Sequence, residues 1–417
     1  MSCSHFTTPI DIPAYCLTFT ADNQLLIGAG GGSSRSGVKN KLISYKVDTR
    51  RKALEEDATF EFEAGEDAPM CLDAHPTEPV ILAGVNASDE SIMQGTNNNC
   101  RVFRVLEDKF VLEKAIKTVE SKNPSDYQRV VRMSQDGSLV AIGTTDGYVS
   151  VFKYPELEAL CKPIQVCTDD EVLDVDINLE KEKMVSVVRN QLSLINLRGK
   201  NMGTTVQTMT SASVIKQGAS YFRAFRYGRG YTKDVGFAVV NGITKRGAYI
   251  IKYDAYSLER IKQVKVSKTP ITAFALSQDG AILAFGSVDL SITVMDAMSM
   301  RVLTTIKNAH GFSITCIGIS PDRRLLVSAS PDNTCHVVSL PLQFPTGVQI
   351  NPFYTLILAC FVAGIMLWLT TLVDLQPFFE QKGLVPVKST VSDSAAVVPS
   401  PFTTPEVILH KDQRDEL

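Results

Sequence analysis

The chain has 417 residues with 42 basic and 45 acidic side chains, a formal net charge of −3. Seven acidic and four basic residues follow position 373, leaving 38 of each sign before it, so the large amino-terminal part has no electrostatic footprint for nucleic acid. The five histidines, His5, His75, His310, His336 and His410, show no metalloprotease spacing, and no Gly-x-Ser-x-Gly elbow occurs, which argues against common hydrolase chemistry.

The first twenty residues have neither a basic n-region nor an uninterrupted apolar core. The sequence therefore predicts no cleavable leader, and the large part is expected to stay in the cytosol. Cysteine usage agrees: eight of the nine precede position 353, Cys360 follows, and none forms a Cys-x-x-Cys pair or a zinc spacing with histidine. Scattered thiols of this kind read as small core residues in a reducing compartment.

Residues 25–47, LLIGAGGGSSRSGVKNKLISYKV, are the most unusual stretch. LLIGA and KLISYKV read as neighbouring strands, yet eleven residues, 30–40, lie where a hairpin needs two to five, so the excess projects. Successive glycines allow main-chain groups to converge on an ion or a partner. A phosphate loop is excluded, because Ser33 and Arg35 occupy the positions a phosphate or dinucleotide fingerprint tests and a strand follows instead of a helix. A solvent-filled surface loop is the competing reading.

Beyond this loop one phrase recurs: VVRMSQDGSLVAIGTTDGYVSVFKY at 130–154, ITAFALSQDGAILAFGSVDLSITVMD from 271 and ITCIGISPDRRLLVSASPDNTCHVVSL from 314. Asp-Gly pairs between alternating apolar stretches are hairpin signals. Asp279 and Asp322 are 43 residues apart and Asp136 and Glu180 are 44 apart, the period of four-stranded WD-type blades. Anchors near Asp22, Pro76, Asp136, Glu180, Asp279 and Asp322 mark six units, and a seventh is expected around Asp234. The predicted fold is all-β, a seven-bladed WD-type β-propeller, closed by a first strand near residues 7–12 pairing with the last blade. No repeat keeps the Trp-Asp dipeptide, and the single tryptophan is Trp368, so six or eight blades are the alternatives. His310-Gly311 precedes the last repeat and reads as a hydrogen-bonding anchor between strands.

After a short proline-containing linker, residues 353–373, FYTLILACFVAGIMLWLTTLV, contain no charge. As a helix they would extend about 31 Å, the hydrocarbon thickness of a bilayer. The expected organisation is a propeller at 1–345, a linker at 346–352, a transmembrane helix at 353–373 and a disordered tail at 374–417. The chain ends Arg414-Asp415-Glu416-Leu417, which resembles a retrieval signal read by a receptor in the lumen of the endoplasmic reticulum, and this predicts a luminal tail. Asn86-Ala87-Ser88 fits a glycosylation sequon, expected to be unused in a cytosolic propeller.

Taken together, a degenerate propeller, GAGGGSSRSGVKNKL at 28–42 with Gly37-x-x-Asn40, and one span directly after the last blade resemble the Sec-twelve family, including the prolactin-regulatory-element-binding protein. These are exchange factors of the endoplasmic reticulum that activate the Sar-type small GTPase for COPII coat assembly. The resemblance covers residues 1 to about 375. It implies a GTPase-binding loop of Gly30, Gly31, Gly32, Ser33, Ser34, Gly37, Val38 and Asn40. It also implies a potassium ion on main-chain oxygens of Gly30, Gly31, Gly32 and Asn40, with further contacts at Asp73, Asn86 and His310. Where the family often has four consecutive glycines, Ala29 interrupts the run here. The alternative is a membrane-anchored scaffold that recruits coat or tethering proteins without exchange activity.

Overall fold

The computed structural model describes residues 3–33, 37–214, 219–243, 246–344 and 352–372. The chain divides into two units, Met1–Phe344 and Pro345–Leu417. The first unit contains seven antiparallel sheets, so the seven-blade reading holds.

Blade 1 comprises Ala14–Phe19, Leu25–Ala29, Lys41–Asp48 and Ala53–Glu61, and blade 2 comprises Cys71–Ala74, Val80–Gly84, Cys100–Val105 and Phe110–Ile116. Blade 3 begins at Gln128–Met133, blade 4 at Val172–Ile177, blade 5 at Ser220–Tyr227 and blade 6 at Ile271–Leu276. Blade 7 is formed by Cys316–Ile319, Leu325–Ser330 and Thr334–Ser339 together with the amino-terminal strand His5–Pro9. That strand pairs antiparallel with blade 7, His5 opposite Val338 and Pro9 opposite Thr334. The closing strand is therefore real, beginning two residues earlier than the sequence suggests, and it covers an edge that would otherwise be open.

Each expected anchor falls in the turn between the first and second strands of a blade. Local chemistry fixes these turns. In blade 6 the Ser277 hydroxyl donates to Asp279 Oδ1 at 2.6 Å, and that oxygen accepts the Ala281 amide at 3.0 Å. Blade 7 repeats the arrangement with Ser320, Asp322 and Arg324, as short polar side chains at turns commonly do. Five blades also carry a bulge at the same place in their first strand, as at Ala14/Cys16 and Gln128/Val130, which adds the twist a blade needs.

The core is a ring of seven clusters, each shared by two neighbouring blades. Leu26, Leu42, Ile81 and Phe103 join blades 1 and 2, and Leu25, Ile27, Val327 and Val337 join blades 1 and 7. Strands alternate in direction, so first-to-second turns lie on one face and second-to-third loops on the other; we call these the turn face and the loop face. The last strand, Thr334–Ser339, runs towards the turn face, so the chain leaves the propeller there.

Two α-helices are described. α1 (Asp89–Gln94) lies in the second-to-third loop of blade 2, and α2 (Pro352–Leu372) carries no charged residue. The α2 side chains are described from 356 to 369, all exposed. Among the described residues no helix is long and apolar enough to cross a membrane. Of the linker expected at 346–352 only Pro352 is described, as the first residue of α2; its other residues, position 373 and the tail at 374–417 lie outside the described residues.

Candidate functional site

Blades 3, 4, 6 and 7 join their second and third strands through two to four residues, as hairpins ordinarily do. Blades 1 and 2 do not. Their loops, residues 30–40 and 85–99, stand side by side on the loop face, linked by the inter-blade segment 62–70.

Asn40 organises this corner. It is 8% exposed, and its Oδ1 accepts the Gly32 amide at 3.0 Å. Its Nδ2 donates to the Gly32 carbonyl at 3.0 Å and to the Glu66 carbonyl at 2.7 Å. The Asn40 carbonyl accepts the Phe62 amide at 2.9 Å. One side chain therefore satisfies both main-chain groups of Gly32 and ties the loop to segment 62–70. Glycine is required: a Cβ at position 30 would overlap the Asn40 carboxamide, and Gly32 has φ 76°, a conformation costly for other residues. Ser33, Gly37 and Val38 are exposed, and Ser34 lies outside the described residues.

Two carboxylates flank the loop. Glu66 is held by Arg101 and accepts the Glu63 amide at 3.0 Å, while the Arg101 guanidinium lies 5.5 Å from the Phe62 ring centre. Asp67 borders Gly32, where a Cβ would lie 3.5 Å from its Oδ1. Burial raises the pKa of Asp67, the Ala68 and Ser33 amides pull it down, and Asp89 pushes it up. The Asp67 amide donates to the Asn86 carbonyl at 2.9 Å, joining the two loops.

Asn86 is 4% exposed. Its Nδ2 donates to the Asp126 carbonyl at 2.8 Å, and its Oδ1 accepts Asn97 Nδ2 at 3.1 Å. It is an internal brace, inaccessible to glycosylation in the folded chain. α1 follows, capped by Ser88 and terminated by Gly95 in the left-handed conformation.

The structure thus gathers Gly30, Gly31, Gly32, Ser33, Gly37, Val38, Asn40 and Asn86 on the loop face of blades 1 and 2. It places the other two candidates elsewhere. Asp73 lies in the inner strand of blade 2, where its Oδ2 accepts the Met133 amide of blade 3 at 2.7 Å. The His310 ring is buried against Thr334 Oγ1 at 2.9 Å and Ser328 Oγ at 2.8 Å, with the Asp332 carboxylate 3.4 Å away. Burial lowers its pKa against the pull of Asp332. His310 is the strand anchor the sequence suggests.

Sequence reasoning missed Glu66, Asp67, Arg101 and α1. A signal for the helix was present: Ser88 before Asp89-Glu90, and Gly95 one turn later, are start and stop residues. Among the described residues no three His, Cys, Asp or Glu side chains converge to hold a metal ion. The oxygens available to a cation here are loop carbonyls and the Asp67 carboxylate.

Comparison with known proteins agrees with this architecture. The family "WD domain, G-beta repeat" matches residues 300–339. "Guanine nucleotide-exchange factor SEC12" of Candida glabrata is 25% identical over 82% of this chain and 73% of that protein. The chain is thus similar along most of its length to proteins named SEC12 guanine nucleotide-exchange factors. "SEC12-like protein 2" of Arabidopsis thaliana is 24% identical over 73% of each chain. The SEC12 of Mus musculus is 21% identical over 84% of this chain and 92% of its own. Among solved structures, Raptor of Chaetomium thermophilum superposes with a TM-score of 0.62 at 13% identity, covering 82% of this chain and 29% of its own; that likeness speaks for the fold alone.

Proposed function

We propose that this protein accelerates nucleotide release from a Sar-type small GTPase at the endoplasmic reticulum membrane and so starts COPII coat assembly. The observation that carries the reading is the Asn40-pinned glycine loop, a projecting hairpin whose base is fixed by three side-chain hydrogen bonds. A GTPase holds its nucleotide through ordered switch segments and magnesium. A factor that binds the open arrangement better than the closed one shifts the partner towards nucleotide loss, and needs no acid, base or nucleophile. Pre-ordering the loop reduces the entropy lost on contact.

The oxygens at the loop fit a potassium ion. Gly32 and Asn40 each use their carbonyl for one hydrogen bond, leaving a second lone pair. With the Gly30 and Gly31 carbonyls and the half-buried Asp67 carboxylate, these would supply an all-oxygen set suited to a hard cation. A bound ion would supply fixed positive charge; Asn40 and segment 62–70 hold the loop in register for it.

The exposed apolar side chains at 356–369 of α2 support anchoring in the bilayer. The chain leaves the propeller from the turn face, opposite the glycine loop. Anchoring raises the local concentration of activated GTPase where a coat assembles, and the terminal Arg414-Asp415-Glu416-Leu417 would return escaped molecules through a luminal receptor.

The test is release of a fluorescent GDP analogue from a purified Sar-type GTPase, with the full chain in lipid nanodiscs. Acceleration is expected, strongest in potassium buffer. Equal rates in potassium, sodium and lithium would remove the ion, and no acceleration would leave the scaffold reading.

A further inference from the structure

Beside the glycine loop the central channel opens on the loop face into a cavity of about 360 Å³, walled by Tyr15, Met70, Arg129, Tyr221, Arg223 and Thr272. Arg223 stands on the inner strand of blade 5, half-buried, and its Nη2 donates to the Thr272 carbonyl at 2.6 Å. Its neighbours are paired differently. Glu171 lies 3.2 Å from Arg129 Nε, and Asp174 is taken by Arg226, with Arg132 Nε 3.8 Å from its other oxygen. Among the described residues Arg223 forms no ion pair. Burial and the nearby charge of Arg129 both work against its protonated form, with Asp174 and Glu171 answering only from a distance. A guanidinium stays charged under such conditions, so the fold holds a cation at a cost that an incoming anion would relieve.

The surroundings have the composition of a recognition surface. Val288, 52% exposed, lines the cavity, and Phe312, 61% exposed, immediately precedes Ser313 of its wall; Arg189 lies 5.3 Å from the Tyr221 ring centre. Exposed aromatic and apolar side chains around arginine are typical of energetically dominant contacts. One chain segment connects the cavity wall to the glycine loop. Segment 62–70, which Asn40 grips, ends at Met70 in the cavity wall, and the Asp67 charge bears on the phenol of Tyr15.

We infer that the channel mouth is a second contact for the GTPase engaged by the glycine loop: an acidic partner side chain pairs with Arg223 while an adjacent apolar residue covers Phe312 and Val288. This rests on the exchange-factor reading above. The loop would act on the nucleotide site, and the mouth would set the orientation of the partner.

The experiment compares the full chain with Arg223→Gln and Arg223→Lys, using EDTA-stripped Sar-type GTPase as the probe, and measures affinity and thermal midpoint together. Arg223→Gln is expected to weaken binding at least tenfold without lowering the midpoint, because a half-buried charge without a counter-ion has been removed. Arg223→Lys should restore part of the affinity. Unchanged affinity in Arg223→Gln, with the wild type binding normally, overturns this inference alone. Weakened binding with a lowered midpoint and no rescue by lysine also overturns it, since that marks a structural arginine. A wild-type chain that does not bind the GTPase at all overturns it together with the proposed function.

Discussion

Replacing Asn40 with alanine tests whether the glycine loop is held or merely tethered. The substitution removes three hydrogen bonds, to the Gly32 amide, the Gly32 carbonyl and the Glu66 carbonyl. At about 1 kcal/mol each, the loss is about 3 kcal/mol. Since 1.4 kcal/mol is a factor of ten, loop opening should become roughly a hundredfold more favourable. The ring does not share this loss. Strands Leu25–Ala29 and Lys41–Asp48 keep their register from Leu25 opposite Tyr45 to Ala29 opposite Lys41, and the shared cluster with blade 2 contains no Asn40 atom. Hydrogen exchange read by mass spectrometry should show the Gly32 amide losing protection while strand amides of blade 1 keep theirs. GDP release from the GTPase should slow in parallel. Undiminished protection at Gly32 in Asn40→Ala would refute the reasoning.

Two further predictions concern the scaffold. Asp174 is buried, its Oδ2 accepting the Phe225 amide at 3.0 Å and pairing with Arg226; Asp174→Ala leaves buried guanidinium charge uncompensated and should cost about 3–5 kcal/mol, seen as a lower midpoint in denaturant unfolding. His336 has its pKa pushed down to about 4 by burial, then by the rings of His5 and His310. The unfolded chain therefore takes up a proton near pH 6.5 that the folded chain refuses. This stability is present above about pH 6.5 and is lost as pH falls towards 4. His336 Nδ1 lies 2.7 Å from Thr7 Oγ1, so the loss should centre on the closing strand, and His336→Gln should flatten the pH dependence of unfolding between pH 7 and 5.

The period of the turn anchors made the ring legible. Asp136, Asp279 and Asp322 each sit in a turn whose chemistry is local, a carboxylate accepting main-chain amides two residues on, and local chemistry leaves a spaced signature in sequence. The fifth blade was harder to see because its turn, with Gly230 and Asp234, lacks the Ser-x-Asp pattern, although its four strands form normally. The glycine loop was legible from its excess length. What grips it was not. Glu66 and Asp67 reach Asn40 and Gly32 only through the inter-blade crossing of segment 62–70, a contact 26 residues away in sequence for Glu66. Asp73 illustrates the converse: it reads as a candidate contact, but the ring turns it into a clamp on blade 3. Arg223 carried no sequence signal, because its lack of a counter-ion depends on Arg129 of blade 3 and Arg226 of its own strand having already taken Glu171 and Asp174.

The most direct measurement is GDP dissociation from a Sar-type GTPase in the presence of the full chain whose residues 31–39 are replaced by a two-residue turn. Thermal unfolding would establish that the seven blades persist. The account predicts that dissociation then falls back to the rate of the GTPase alone. Acceleration equal to that of the intact chain would contradict it.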